Sequence, residues 1–150
     1  MVSALIFAGG IGQRMKSLDI PKQFLEIEGK PIIVRTMEHF SNHPMVDNIV
    51  VVCVENWLDV LNQDIEKFGI KKVIKTVPGG ATGYHSIHNG LLEVAKVASD
   101  DDIVLICDGV RPMLSEDLIT TCIEDAKKYE SAVPVTPSID SVLYLSLIHI

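Results

Sequence analysis

The residues of this 150-residue sequence best equipped for chemistry fall into two glycine-rich clusters, two spaced cations and a carboxylate beside a guanidinium. The first cluster, Ala8-Gly9-Gly10-Ile11-Gly12, ends a short apolar run. It exposes backbone N–H groups where side chains would otherwise block approach, an arrangement that suits a phosphate chain. Arg14 and Lys22 then add full positive charges, and Pro21 fixes the backbone just before Lys22. Together they point to a nucleotide triphosphate site. Two common phosphate-binding patterns do not fit. No Lys-Ser or Lys-Thr follows a second glycine at P-loop spacing, and Met15 stands where a dinucleotide fingerprint requires a third glycine. Glycines at a strand-to-helix turn also occur for tight packing alone, so it is the cations that favour a ligand.

The second cluster, Gly79-Gly80-Ala81-Thr82-Gly83-Tyr84-His85-Ser86, offers close backbone approach with neutral donors and acceptors, which suits the edge of a pyrimidine. Ser86 is expected either to cap the following helix or to bond a base or phosphate. His85 and His88 are three residues apart, but without a third ligand the expectation is a solvent-facing pair rather than a metal site. The third cluster is Cys107-Asp108-Gly109-Val110-Arg111-Pro112. An Asp at a strand end can hold Mg²⁺ together with phosphate oxygens, and Arg111 can position that carboxylate or contact a substrate phosphate. The plain alternative is an Asp–Arg surface pair worth about 0–1 kcal/mol.

These clusters need a scaffold that gathers them. Residues 3–8 read as a first strand, and Pro31 opens a helix to about Phe40 with Ile33, Met37 and Phe40 inward. Residues 48–54 (NIVVVCV) are nearly all apolar, as in a strand covered on both faces. A helix over 57–68 places Trp57, Val60, Leu61, Ile65 and Phe68 inward, which makes Trp57 a core residue rather than a ligand-stacking one. A strand over 71–77, a helix over 84–98 with Ile87, Leu91, Val94 and Ala98 inward, and a strand over 102–107 follow. Ser115 then caps a helix with acidic residues first and Lys127 and Lys128 last, before a fifth strand over 132–135. Strict alternation implies an α/β fold, a Rossmann-like open, mostly parallel sheet with helices on both faces. In such sheets ligands bind beyond the carboxyl ends of the strands, and each cluster follows a strand.

Composition narrows the class. A formal net charge of -7 with no stripe of Lys and Arg argues against a nucleic-acid or acidic-membrane surface. Cys53, Cys107 and Cys122 form no C-x-x-C pair and fit a reducing cytoplasm as small core hydrophobes. No run approaches membrane-spanning length, so a soluble cytoplasmic protein is expected.

AGGIGQRM followed by PKQFLEIEGKPII resembles the opening of the cytidylyltransferases that make CDP-methylerythritol or CDP-ribitol from CTP and a polyol phosphate. The resemblance continues through GGATGYHS, DGVRP and Asp140-Ser141-Val142. It implies that Ala8, Gly9, Gly10 and Gly12 cradle the CTP phosphates and that Arg14 and Lys22 are catalytic, stabilising charge as the α-phosphate is attacked. It further implies that Gly79, Gly80, Ala81 and Ser86 read cytosine and ribose, that Asp108 serves CTP and Mg²⁺, and that Arg111, Asp140 and Ser141 meet the acceptor substrate. AGGIG and DGVRP look nearer the ribitol-phosphate branch. Gly83 departs from the resemblance, because that position usually carries Arg. So does the apolar tail LYLSLIHI over 143–150, where a polar arm is expected. The expected organisation is a nucleotidyltransferase domain over 1–142 with an atypical tail from a truncated or frame-disrupted reading frame, the longer family fold being a homodimer. Other sugar-phosphate nucleotidyltransferases and an inactive nucleotide-binding module are the rival readings.

Overall fold

The computed structural model describes residues 1–10 and 20–137. Four parallel strands form the main sheet in the order β5-β4-β1-β6. They are β1 (Val2–Ala8), β4 (Asn48–Cys53), β5 (Val73–Pro78) and β6 (Ile103–Asp108). β1 sits between β4 and β6, with Phe7 opposite Val52 on one side and Asp108 on the other. Its β-branched and apolar residues suit a position paired along both edges and covered on both faces.

Two short strands, β2 (Glu26–Ile27) and β3 (Lys30–Pro31), make an antiparallel hairpin apart from the main sheet. Its turn sets Glu28 at φ 51° and Gly29 at φ 72°, the paired left-handed conformation of a tight hairpin. The helices are α1 (Ile32–Asn42), α2 (Leu58–Lys67), α3 (Gly83–Val94) and α4 (Glu116–Tyr129).

Side-chain alternation divides the core in two. Ala4, Ile6 and Ala8 of β1 with Ile49, Val51 and Cys53 of β4 pack against α1, α2 and α4, through Met37, Leu61 and Ile123 among others. Leu5, Val50, Val52 and Val77 face the other way and meet Ile87, Leu91 and Val94 of α3. Helices therefore cover both faces of an open parallel sheet, as the alternation of elements implies. The inward stripes of α1 and α3 match expectation, and Trp57 packs against the first core with its ring stacked on Phe24 at a centroid distance of 4.7 Å.

Three expectations are corrected. Residues 131–137 form no strand, and Val133 and Val135 are 81% and 89% exposed, because the apolar alternation there finds no partner edge among the described residues. Val60 is exposed: it lies one position, about 100° of helix, from the buried Leu61, and α2 turns only a narrow stripe to the core. The helix after the second glycine cluster starts at Gly83, so its cap is Thr82, whose hydroxyl accepts the His85 N–H, and Ser86 lies inside the first turn. Ser115, by contrast, caps α4 as expected by accepting from the Leu118 N–H.

Candidate active site

Along the chain, strands step from β1 to β4 to β5, then return past β1 to β6. The reversal places a crevice at the carboxyl ends of β1 and β6, where open α/β sheets take their ligands. Ala8, Gly9 and Gly10 lie at the end of β1, Gly79 and Gly80 at the end of β5, and Asp108 ends β6.

The two glycine clusters meet over the end of β4. The Gly79 N–H donates to the Cys53 carbonyl at 2.7 Å, which folds the second cluster back over that strand. A Cβ built on Gly79 would stand 3.1 Å from the Gly9 Cα, and one on Gly9 would stand 2.6 Å from the Ser86 Oγ. The close approach, rather than backbone conformation, favours glycine at both positions. Ser86 is 2% exposed. Its hydroxyl accepts the Gly80 N–H at 3.0 Å and donates to the Thr82 carbonyl at 3.1 Å, so it lies beneath the rim and ties the loop to the helix. The first-turn N–H groups of Gly83 and Tyr84 have no partner among the described residues, and with the helix dipole they favour an anion at this rim. Ala81, His85 and His88 are exposed there. Gly83 has nothing within 4 Å of a built Cβ, so sterics do not select glycine at the position where the resemblance leads one to expect Arg.

Lys22 is exposed and opens the 3-10 turn Lys22–Phe24. The next residue, Gln23, is 1% exposed and donates through Nε2 to the Ala8 carbonyl at 2.7 Å and the Gly10 carbonyl at 3.3 Å. Gly12 and Arg14, like Asp140 and Ser141, lie outside the described residues.

The β6 side of the crevice is held from α1. The Gly109 N–H donates to the Phe7 carbonyl at 2.9 Å. The Thr36 hydroxyl, fully buried, donates to the Gly109 carbonyl at 3.1 Å and accepts the Arg111 N–H at 3.2 Å. One turn on, His39 Nε2 lies 2.9 Å from the Pro112 carbonyl, to which it donates. Asp108 Oδ1 accepts the Val110 N–H at 3.3 Å, and no ion pair joins Asp108 to Arg111 among the described residues. Burial pushes the neighbouring Cys107 thiol up to about 11, with Asp108 adding to the rise.

Gln23, Thr36 and His39 were not among the residues singled out from sequence. Thr36 had a visible signal, since it interrupts the apolar stripe Ile33, Met37 and Phe40 from within. A cavity of about 740 Å³ lies elsewhere, between β6, α4 and residues 130–134. None of the sequence-predicted site residues lines it. Among the described residues, no helix is long and apolar enough to cross a membrane.

Comparison with known proteins bears on the family and the fold. Ribitol-5-phosphate cytidylyltransferase of Streptococcus agalactiae serotype Ia is 46% identical over 142 residues, covering 95% of this chain and 59% of the relative. The 2-C-methyl-D-erythritol 4-phosphate cytidylyltransferase of Clostridium botulinum strain Loch Maree is 43% identical over 130 residues, covering 87% of this chain and 55% of the relative. The crystal structure of 4-diphosphocytidyl-2C-methyl-D-erythritol synthase from Anaerococcus prevotii superposes with a TM-score of 0.77 at 28% identity, covering 98% of this chain and 60% of that one. The chain thus spans under two thirds of the length of the relatives it matches. Over residues 2–146 it matches the family described as IspD, 2-C-methyl-D-erythritol 4-phosphate cytidylyltransferase, and it belongs to that family.

Proposed function

We propose that this chain is the nucleotide-binding and catalytic part of a cytidylyltransferase that transfers CMP from CTP to D-ribitol 5-phosphate and releases pyrophosphate. The observation that best supports the reading is the joint rim of Gly9, Gly79 and Gly80 beside the Lys22 turn. The reading also takes the working enzyme to be a cytoplasmic homodimer.

In this reading the first glycine cluster receives the triphosphate, and the neutral edge of the second cluster, whose Gly79 and Gly80 N–H groups are already bonded within the protein, receives cytosine. An acceptor phosphate oxygen attacks the α-phosphorus directly, forming one P–O bond as the bond to pyrophosphate breaks. Negative charge accumulates on the α-phosphate oxygens, and Lys22 and Arg14 offset it, the kind of stabilisation that dominates phosphoryl transfer. Arg111, Asp140 and Ser141 receive the acceptor. Magnesium fits the donor set, because Val110 engages only one oxygen of Asp108 and leaves the other for a hard cation that also takes phosphate oxygens. Bound there, the ion would neutralise phosphate charge.

A second acceptor, 2-C-methyl-D-erythritol 4-phosphate, is favoured by the Clostridium botulinum relative. Pyrophosphate release measured with each of CTP, UTP, ATP and GTP against both polyol phosphates separates the readings. Turnover with CTP and ribitol 5-phosphate is expected, and Lys22→Ala should lower it about 10²–10³-fold. Preference for the methylerythritol acceptor selects the second reading, and turnover with UTP or a purine nucleotide alone overturns both. In a thermal melt, CTP at a hundred times its Kd should add about 2.7 kcal/mol of stability, with no comparable gain from the other nucleotides.

A further inference from the structure

We infer that Gln23 is a positioning residue that sets Lys22 against the phosphate cradle, an inference that rests on reading the glycine rim as a CTP site. The sequence Pro21-Lys22-Gln23-Phe24 folds as a single 3-10 turn, with the Phe24 N–H donating to the Pro21 carbonyl at 2.9 Å and the Leu25 N–H to the Lys22 carbonyl at 3.2 Å. Such a turn sends neighbouring side chains in different directions. Lys22 emerges into solvent, Gln23 is buried, and Phe24 stacks on Trp57.

A buried primary amide is costly unless its donors are used, and an apolar side chain of equal size would fill the space as well. Here the amide has a specific task. The ladder of β1 ends at Ala8, opposite Cys53, and the carbonyls of Ala8 and Gly10 lie at and beyond that end. Gln23 Nε2 donates to both. One side chain thus fixes the end of β1, from Ala8 to Gly10, and the backbone carrying Lys22 as a single unit. Phe24 locks the opposite side of the turn into the α1 and α2 core. The ammonium group of Lys22 is mobile on its own stem, but its Cα cannot drift from the cradle.

The test compares CTP with cytidine, which lacks the phosphates, by calorimetric titration of the full chain in Mg²⁺. Gln23→Met keeps the length and removes both N–H donors. The expected result is CTP binding weakened on the order of tenfold or more, since small misplacements of a charge-bearing group are expensive, with cytidine affinity unchanged. In the Lys22→Ala background, Gln23→Met should cause no further loss. Equal loss for CTP and cytidine, or losses from the two substitutions that simply add, would overturn the inference in favour of a merely structural role. Should Gln23→Met fail to fold, NMR of the unaltered protein decides. The Gln23 side-chain amide protons should exchange slowly and shift on adding CTP but not cytidine; fast exchange or indifference to CTP overturns it. A wild-type chain that binds CTP no better than cytidine removes the phosphate-site reading itself, and this inference with it. Wild-type preference for CTP with an unaffected Gln23→Met removes only the inference.

Discussion

All six residues of β4 are buried, whereas every residue of β6, on the other side of β1, is at least partly exposed, Ile106 at 50%. Their compositions hardly differ, NIVVVC against IVLICD. The difference lies in what surrounds them. β4 has a paired strand along each edge and helices over both faces, while β6 pairs only with β1 among the described residues. Leu5 and its register partner Ile106 share a face, but α3 packs over β1, β4 and β5 rather than over β6. An apolar run states a demand for cover, and the neighbours decide whether it is met.

The comparison is sharpest in paired truncations. Ile49→Ala in β4 should cost about 2–5 kcal/mol, while Ile106→Ala should cost about 1 kcal/mol or less, because Ile49 is fully buried and Ile106 already meets solvent. Urea melts of the two variants check this, and equal losses would mean that β6 is as well covered as β4. The α3 cover over β4 can also be stressed from above. A Cβ on Gly90 would meet Leu5 Cδ1 at 2.2 Å and Val52 Cγ2 at 2.8 Å, so Gly90→Ala should destabilise by about 1–3 kcal/mol despite the better helix propensity of Ala. Gly83→Ala, at the open start of the same helix, should instead stabilise by about 0.4–1 kcal/mol.

A further effect is chemical. Burial pushes the Cys53 thiol of β4 up to about 12 from 9.0 and that of Cys107 in β6 to about 11. A thiol whose folded pKa is raised adds stability that is whole below its unfolded pKa and is lost as pH climbs toward the folded one. Stability should therefore decline between pH 9 and the folded values, by about 1 kcal/mol from pH 9 to 10 for Cys53, and Cys53→Ala should remove that part of the slope. Denaturant melts at both pH values measure it. An alkylating reagent should likewise modify Cys107 before Cys53.

The open parallel sheet with helices on both faces was legible because the chain alternates strand with helix and because a run such as NIVVVC has few other uses. The inward stripe of α1 was equally plain. What escaped were features decided by partners. Val60 and Leu61 are equally apolar, and only the narrow contact of α2 chooses between them. Thr82 and Ser86 are both able caps, and a start one residue earlier than expected gives the task to Thr82. Residues 132–135 alternate like a strand, but a strand needs an edge to join. At the site, the glycines and Lys22 could be read as ligand-facing chemistry, whereas Gln23 and Thr36 act on backbone carbonyls that no sequence pattern displays.

The meeting of Gly9 with Gly79 binds two stretches of sequence that lie far apart and belong to strands that are not neighbours in the sheet. A side chain at Gly79 would press on the backbone of Gly9, which cannot be trimmed, and one at Gly9 would press on the Ser86 hydroxyl. Only a change at Ser86 would make room at Gly9, and it would break the hydroxyl's bonds to Gly80 and Thr82. In a lineage of such chains the two glycines would be inherited together and would show no covariation, being silent to any method that infers contact from correlated change.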